Sequence, residues 1–293
     1  MNSEAPESGR PLYLVMKDII AALSPKYGEG EAKAMVRLIF ENLKGWTPVD
    51  LAIKANEPVS DFIQGKIRNV VDRALQSEPL QYIFGNAWFY GMNLKVTPDV
   101  LIPRPETAQL VDRIVDDNPG KDLRVIDLGT GSGCIALALS RNLAFSDVMA
   151  LDISEKALDV ARENADKLKA GVRFIQGDIL NLQAVKELDN RKFDIIVSNP
   201  PYIADHERGQ MEDNVLLHEP SLALFVPDSD TLKFYVPILL FAADHLAPGG
   251  HVYFEINPLY AKELADKAKS IGFGNVELMK DFQGSDRFHI ASR

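Results

Sequence analysis

The 293-residue chain is poor in cysteine and has no long apolar run. Its single cysteine, Cys134, excludes an intrachain disulfide and a zinc site built from several cysteines, and we expect no metal. No apolar stretch is long enough to span a bilayer, and the polar segment Met1 to Arg10 lacks the apolar core of a secretion signal. We therefore expect a cytoplasmic protein without a membrane partner.

Basic charge is also scarce, since 32 Lys and Arg stand against 42 Asp and Glu, for a net charge of −10. Residues 1–90 hold ten basic and eleven acidic side chains, so the remaining −9 falls on residues 91–293. Enzymes that act on nucleic acid usually carry a basic surface. We expect no direct nucleic-acid partner, although net charge does not exclude a local basic patch.

Three regions differ in pattern. Residues 1–80 carry apolar stripes at helical spacing, and Thr47-Pro48 and Ser60-Asp61 have the chemistry of helix starts, which predicts a small helical domain. Residues 81–98 are aromatic and rich in strand formers, with Gly85 and Gly91 at turn positions, which predicts a β-hairpin linker that includes Tyr82 to Phe84.

Residues 99–293 alternate strand and helix patterns, which predicts a doubly wound α/β sheet. A helix is predicted from about Glu106 to Asp116, a later helix start at Ser229-Asp230, and a helix end at Pro248 to Gly250. The predicted parallel strands end near Leu128, Asp152, Gln176, Ser198 and Ile256.

A glycine loop follows the first of these strands. Gly129, Gly131 and Gly133 alternate with other residues directly after Asp127-Leu128, and a helical segment follows. Glycine is needed where the backbone approaches a ligand closely or takes a positive φ. The spacing G-x-G-x-G differs from that of dinucleotide-binding loops, and the absence of Gly-Lys-Ser/Thr excludes a P-loop.

Acidic residues end the next two strands. Asp152 is placed to accept hydrogen bonds from both hydroxyls of a ribose. Asp178 is placed to meet an adenine amino group while Ile179 packs on the ring. Taken singly, either aspartate is as typical of a solvated turn or a helix N-cap as it is of a ligand-binding position.

The fourth strand ends in Asn199-Pro200-Pro201-Tyr202. The prolines stiffen the backbone, Asn199 offers an amide and Tyr202 a flat ring, a set that suits a planar amino or amide group. Pro-Arg-Pro-Glu-Thr at residues 103–107 is a second distinctive motif. By themselves, its Arg104 and Glu106 are typical of a structural ion pair at a helix start, where the macrodipole favours Glu.

In this order the motifs resemble class I S-adenosylmethionine-dependent methyltransferases. From about Gln81 to the C-terminus the chain is similar to the peptide chain release factor glutamine methyltransferases (the HemK/PrmC family). The resemblance implies a Rossmann-like seven-stranded sheet with its last strand antiparallel, and an N-terminal helical domain that helps to hold the protein substrate. It also implies S-adenosyl-L-methionine as cofactor, held by Asp127, Leu128, Gly129, Thr130, Gly131, Gly133, Asp152, Asp178, Ile179 and Asn199.

The implied reaction is methylation of the glutamine amide nitrogen in the Gly-Gly-Gln motif of a release factor, by an enzyme that we expect to be a monomer. The Asn199 side-chain oxygen and the Pro200 carbonyl would accept the two amide hydrogens, while Tyr202 and the prolines would form walls. The expected substrate-binding residues are Asn199, Pro200, Pro201, Tyr202, Arg104 and Glu106.

Three other functions share some of these features. A DNA or RNA amino-methyltransferase also carries Asn-Pro-Pro-Tyr, but the acidic balance and residues 103–107 argue against it. An enzyme that methylates a glutamine of a ribosomal protein is a closer alternative. A cofactor-binding interaction module without catalysis is disfavoured by the intact Asn199 and Tyr202. His218 could be proposed as a general base, yet we interpret it as a surface residue.

Overall fold

The computed structural model describes residues 9–293, so the first eight residues of the polar N-terminal segment lie outside the described part. The chain folds as two compact units. A helical unit comprises the residues up to Gly85 together with the short segment Asp213–His218. A sheet unit comprises Asn86–Glu212 and Glu219–Arg293.

The helical unit is built around one long helix that is interrupted at Gly28, where φ is 80° and ψ is 158°. Apolar side chains spaced along it, including Val15, Ile19 and Ile39, are buried in a common core. The elements of this unit are β1 (Gly9–Pro11), α1 (Leu12–Lys44), α2 (Pro48–Ile53), β2 (Pro58–Ser60), α3 (Asp61–Leu75), α4 (Leu80–Phe84) and the later helix α8 (Asp213–His218).

The two helix starts predicted from cap residues are both present. Thr47 and Asp50 form a reciprocal capping box, in which the Asp50 N–H donates to Thr47 Oγ1 over 3.2 Å and the Thr47 N–H donates to Asp50 Oδ2 over 2.9 Å. Ser60 is the N-cap of α3, but its side chain makes no capping hydrogen bond.

The prediction that Tyr82 to Phe84 form a strand is wrong, because these residues lie in helix α4. Pro79 precedes the helix, and Gly85 closes it in the left-handed conformation at φ 70°. Leu80 and Tyr82 are buried. Tertiary burial therefore overrides the β propensity of aromatic residues here. The hairpin itself is formed by β3 (Asn86–Phe89) and β4 (Met92–Lys95).

The sheet unit contains a seven-stranded sheet in the order β12-β13-β11-β8-β5-β6-β7. Only β13 runs antiparallel to its neighbours, as the resemblance implied. The strands are β5 (Arg124–Leu128), β6 (Asp147–Asp152), β7 (Val172–Gln176), β8 (Phe193–Ser198), β11 (Leu246–Glu255), β12 (Asn275–Lys280) and β13 (Asp286–Ser292), and a separate two-stranded sheet pairs β9 (Ile203–Ala204) with β10 (Phe225–Val226).

Helices cover both faces of the large sheet, because its strands are apolar on both sides. Val125 and Ile126 of β5, for example, belong to opposite core clusters. One cluster packs against α5 (Pro105–Asp117), α6 (Cys134–Asn142) and α7 (Glu155–Leu168). The other packs against α9 (Tyr235–His245) and α10 (Ala261–Ile271).

Two helix boundaries differ from those predicted. The helix expected at Ser229-Asp230 begins only at Tyr235, and it ends at His245, before Pro248 to Gly250. Those residues instead lie within strand β11. A Cβ on Gly250 would lie 2.9 Å from the Asp194 carbonyl oxygen, so glycine is required for close approach of two strands there.

One buried group makes the stability of the sheet unit depend on pH. His289 of β13 is fully buried beside Phe254, and neither ring nitrogen has a hydrogen-bond partner within residues 9–293. Burial lowers the pKa of His289 to about 4 from its ordinary 6.5. The charged form of the ring is disfavoured in the folded state. The folded protein therefore keeps its full stability above pH 6.5 and loses stability as the pH falls toward 4.

We expect His289→Phe to lose this pH dependence. The difference in unfolding free energy between the two proteins should change by about 3 kcal/mol between pH 7 and pH 4, since one pKa unit corresponds to about 1.4 kcal/mol. Urea unfolding at both pH values measures it, and groups common to both proteins cancel in the difference. A difference that does not vary with pH would contradict the assignment.

Candidate active site

The loop after β5 takes its shape from three glycines with positive φ. Gly129, Gly131 and Gly133 have φ values of 81°, 54° and 82°. The backbone N–H groups of Gly129 and Thr130 donate to the Leu151 carbonyl over 2.8 and 3.0 Å, which ties the loop to β6. A Cβ on Gly131 would meet no atom within 4 Å, so this glycine leaves open space where the loop borders a cavity.

Gly133 serves packing rather than the cavity. It precedes α6, and a Cβ there would lie 3.2 Å from Ala161 Cβ of α7. Leu128 is also fully buried, and its carbonyl accepts a hydrogen bond from Ser198 Oγ of β8. These two predicted cofactor residues are thus not among the described residues that line the cavity.

Asp127 lies beneath the same loop and is fully buried. Its Oδ2 accepts hydrogen bonds from Thr130 Oγ1 over 2.6 Å and from the Ala136 N–H over 3.3 Å. Its Oδ1 has no partner in the described part of the chain. Burial, with a smaller contribution from the negative charge of Asp152, raises the pKa of Asp127 to about 7. Asp127 therefore supports the loop from behind rather than lining the cavity.

Asp152 ends β6 and lines the cavity. Its Oδ2 accepts from the Gly131 N–H over 2.8 Å, and its Oδ1 accepts from the Ser154 N–H over 2.9 Å. Burial raises the pKa of this carboxyl. An ionised carboxylate has about four acceptor positions, so two remain for a ligand. This geometry fits a carboxylate that binds a diol.

Asp178 and Ile179 line the cavity at the end of β7. Asp178 Oδ1 accepts from the Leu180 N–H over 2.8 Å, so this side chain also acts as the N-cap of a short 3₁₀ helix. Phe234, just before α9, lines the cavity too and supplies an aromatic face that the sequence analysis missed.

Asn199 follows β8 and lines the same cavity, as does Pro201. The Asn199 Nδ2 donates to Thr107 Oγ1 over 3.3 Å. Pro200 is buried. Tyr202 is half-buried and is not among the described residues that line the cavity, and its hydroxyl donates to Glu255 Oε1 over 3.1 Å. Burial, with the nearby charge of Glu255, raises the pKa of the Tyr202 hydroxyl and keeps it protonated.

The structure separates Arg104 from Glu106. Arg104 lines the cavity and forms an ion pair with Glu219, which also accepts the Ile102 N–H over 3.2 Å. Glu106 lies in the first turn of α5 and is not among the described residues that line the cavity. The ion pair considered for this motif therefore joins Arg104 to a residue more than 100 positions away, and not to its neighbour.

The cavity has a volume of about 340 Å³, and all its lining residues belong to the sheet unit. The wall from the glycine loop to Leu180 provides an amide-rich loop, two carboxylates and apolar surface, a set that fits a nucleoside. The end near Asn199 provides a side-chain amide. His218 ends α8, and its Nε2 lies 3.2 Å from the Gln76 carbonyl within the helical unit.

Within residues 9–293, no group of three or more His, Cys, Asp and Glu side chains could hold a metal ion. In the same residues, no helix combines the length and apolar character needed to cross a membrane.

Comparisons with known proteins agree with this geometry. A family model described as a methyltransferase domain matches residues 119–254, and one described as the PrmC N-terminal domain matches residues 15–85. The release factor glutamine methyltransferase of Bacteroides thetaiotaomicron is 43% identical over 93% of this chain and 96% of its own. That of Flavobacterium psychrophilum is 38% identical over 92% and 94%. A solved methyltransferase from Pyrococcus furiosus shares the fold, with a TM-score of 0.52, 22% identity, and coverage of 76% of this chain and 97% of that one.

We expect Asp152→Ala to weaken S-adenosylmethionine binding by about 1–3 kcal/mol, or roughly 5- to 150-fold in Kd, because it strands hydrogen-bonding groups of a ligand and of the loop. Isothermal titration calorimetry measures the change. Asp166→Asn, an exposed position on α7, is the control for loss of one negative charge and should bind like the wild type. Unchanged affinity in Asp152→Ala would contradict the ribose assignment.

Proposed function

The chain belongs to the release factor glutamine methyltransferase family, and we propose that its acceptor is the glutamine amide nitrogen in the Gly-Gly-Gln motif of class 1 release factors. The protein is an S-adenosyl-L-methionine-dependent protein-glutamine methyltransferase. The observation that carries the proposal is the position of Asn199, whose side chain lines the same cavity as the glycine loop and Asp152.

The residues at the cavity wall fit this cofactor. Gly129 to Gly131 present backbone to the cavity, and Asp152 retains acceptor positions for ribose hydroxyls. Asp178, Ile179 and Phe234 offer an acceptor and apolar faces for adenine. The buried carboxyl of Asp127 lies directly behind the loop and holds it in place by accepting the Thr130 hydroxyl.

When bound, S-adenosylmethionine supplies a methyl group on a cationic sulfur, so the protein must mainly align an in-line displacement. The glutamine nitrogen is a weak nucleophile because its lone pair is delocalised into the carbonyl. The Asn199 oxygen and the Pro200 carbonyl accept its two hydrogens, orient the lone pair and stabilise the positive charge that develops on nitrogen. The cofactor, held by the residues at the cavity wall, would supply the methyl group to the nitrogen that Asn199 and Pro200 orient, and the methylated nitrogen would lose a proton to water.

No side-chain base is assigned to this step. The raised pKa of Tyr202 makes its hydroxyl a hydrogen-bond donor to Glu255 rather than a base. The ring of His218 is engaged with the Gln76 carbonyl. The acceptor is therefore activated by orientation and by electrostatic stabilisation of the transition state.

The main alternatives differ in their acceptor. The curated relatives are named for release factors, which supports that substrate over a ribosomal protein or a nucleic acid. The net charge of −10 further disfavours a nucleic-acid partner.

We also propose that the enzyme works as a monomer in the cytoplasm, where release factors act. The cavity is lined by residues of one unit of a single chain.

We propose the helical unit, residues 1–80 in the predicted division, as the part that recognises the body of the release factor, with 81–98 as linker and 99–293 as the methyltransferase domain. A groove in the helical unit is lined by residues of α3 and α4, including Phe62, Lys66 and Phe84. Phe62 is 70% exposed, and Lys66 Nζ lies 4.7 Å from the centre of its ring. Exposed aromatic rings beside a cationic side chain are typical of protein-binding surfaces.

We expect Asn199→Ala to lower kcat by about 100- to 1,000-fold, since one preorganised polar contact at the reacting centre is lost. The Kd for S-adenosylmethionine should stay within about threefold. Mass spectrometry of the release factor measures methyl transfer, and a factor with its Gly-Gly-Gln glutamine replaced by alanine is the negative control. Methylation of that altered factor, or of DNA or RNA, would refute the proposed acceptor.

A second variant tests the helical unit. Phe62→Ala should raise KM for the intact release factor about tenfold, or by about 1.4 kcal/mol, because an exposed aromatic anchor is removed. KM for a short Gly-Gly-Gln peptide should not change, because the peptide lacks the body of the factor. Val49→Ala, also an exposed apolar residue of this unit but outside the groove, is the matched control. Equal effects of Phe62→Ala on both substrates would argue against the assignment.

A further inference from the structure

A chain of hydrogen bonds runs from Asn199 into the protein interior. The Asn199 Nδ2 donates to Thr107 Oγ1 over 3.3 Å, and Thr107 Oγ1 donates to Glu255 Oε2 over 2.6 Å. The three residues come from the end of β8, the first turns of α5 and the end of β11. Thr107 and Glu255 are both buried, at 2% exposure each, so solvent has little access to the bond between them, and Thr107 also borders the cavity.

The chemistry of the three groups gives this chain of bonds a direction. An ionised carboxylate only accepts hydrogen bonds, so the single hydrogen of the Thr107 hydroxyl is used on Glu255. Only lone pairs of Thr107 Oγ1 then remain for Asn199. The amide of Asn199 must therefore turn its Nδ2 toward Thr107, which leaves Oδ1 as the free acceptor at the cavity end.

Glu255 is held as an acceptor by its surroundings. Tyr202 donates to its Oε1 over 3.1 Å, and Thr107 donates to its Oε2. Burial raises the pKa of the Glu255 carboxyl, whereas these two hydrogen bonds and the positive charge of Arg287 oppose that shift and favour the ionised form. Burying a carboxylate is costly unless its oxygens are satisfied. A neutral glutamine would avoid that cost, but its amide could donate to Thr107 and release the threonine hydrogen toward Asn199. Only an acceptor at position 255 imposes one orientation.

We propose that Glu255, acting through Thr107, is a positioning residue that fixes the amide orientation of Asn199, so that its oxygen and not its nitrogen meets the amide hydrogens of the substrate glutamine. This inference rests on the proposed function, because it concerns the same acceptor amide. An Asn199 amide rotated by half a turn would present hydrogens to the hydrogens of the substrate. The orientation of one side chain thus decides whether the site attracts or repels its substrate amide.

The decisive comparison is Thr107→Ser against Thr107→Val, measured on intact release factor with kcat, KM and cofactor Kd determined separately. Valine has nearly the shape of threonine but no hydroxyl, whereas serine keeps the hydroxyl. Thr107→Val should lower kcat by about 10- to 100-fold, because the reacting groups are no longer aligned, with cofactor Kd within about threefold. Thr107→Ser should restore kcat to within about threefold of wild type.

Glu255→Gln tests the other end of this chain of hydrogen bonds. It should lower kcat by a similar factor, and the double variant with Thr107→Val should be no slower than the slower single variant, since both interrupt one path. Tyr235→Phe is the matched control, because the Tyr235 hydroxyl donates to the backbone carbonyl of Glu255 over 3.0 Å without touching its carboxylate. This control should keep kcat within about twofold.

The outcomes separate the possible failures. Wild-type kcat in Thr107→Val, or a Thr107→Ser variant as slow as Thr107→Val, would overturn the positioning role while leaving the proposed function intact. If the kcat losses of the two single variants multiply in the double variant, the proposal that Thr107 and Glu255 act along one path is also overturned. If the wild-type enzyme transfers no methyl to the release factor, the proposed function itself fails. Should Thr107→Val not fold, Glu255→Gln against Tyr235→Phe decides the question alone.

Discussion

The parallel pairing of β8, β5, β6 and β7 is the constraint on which the rest of the sheet unit depends. Parallel strands bring their carboxyl ends to one edge, and this strand order places the ends of four strands side by side. The glycine loop, Asp152, Asp178 and Asn199 follow these ends in turn. The strand order and register of the sheet are therefore enough to place a cofactor site next to an acceptor site.

This arrangement includes a set of buried carboxylates. Burial raises the pKa of Asp127, Asp152 and Glu255, because a charged carboxylate is unfavourable away from water. Without hydrogen-bond donors, each would destabilise the fold. Each is instead held by directed donors. Asp127 receives the Thr130 hydroxyl, Asp152 two backbone N–H groups, and Glu255 the hydroxyls of Thr107 and Tyr202. The same bonds that satisfy the charges fix the loop, the cofactor wall and the acceptor amide.

These carboxylates divide the work of the site. Asp152 faces the cavity and can bind ligand hydroxyls. Asp127 and Glu255 are buried behind residues that line the cavity. A nucleophile as weak as an amide nitrogen is activated mainly by alignment, so groups that restrict its neighbours matter as much as groups that touch it. This explains why a site without an assigned base still contains three tightly held acids.

The strand ends, the glycine loop and Asn199 could be predicted from the sequence, because local patterns encode them. An apolar run predicts a buried strand, and a polar or glycine residue directly after it marks the functional edge. Local patterns failed where burial decides conformation, as in α4, where Tyr82 is helical, and at Gly250, which is required by contact with a neighbouring strand.

Only the tertiary structure decided which side chains meet. It placed Asp127 behind the loop, gave Arg104 the distant partner Glu219, and turned the Tyr202 hydroxyl toward Glu255. Thr107 lay within a recognised motif and Glu255 at a strand end, yet neither position indicates that the two join across 148 residues. The physical reason is that spacing along a chain determines the periodicity of an element, whereas hydrogen-bond partners depend on how separate elements pack.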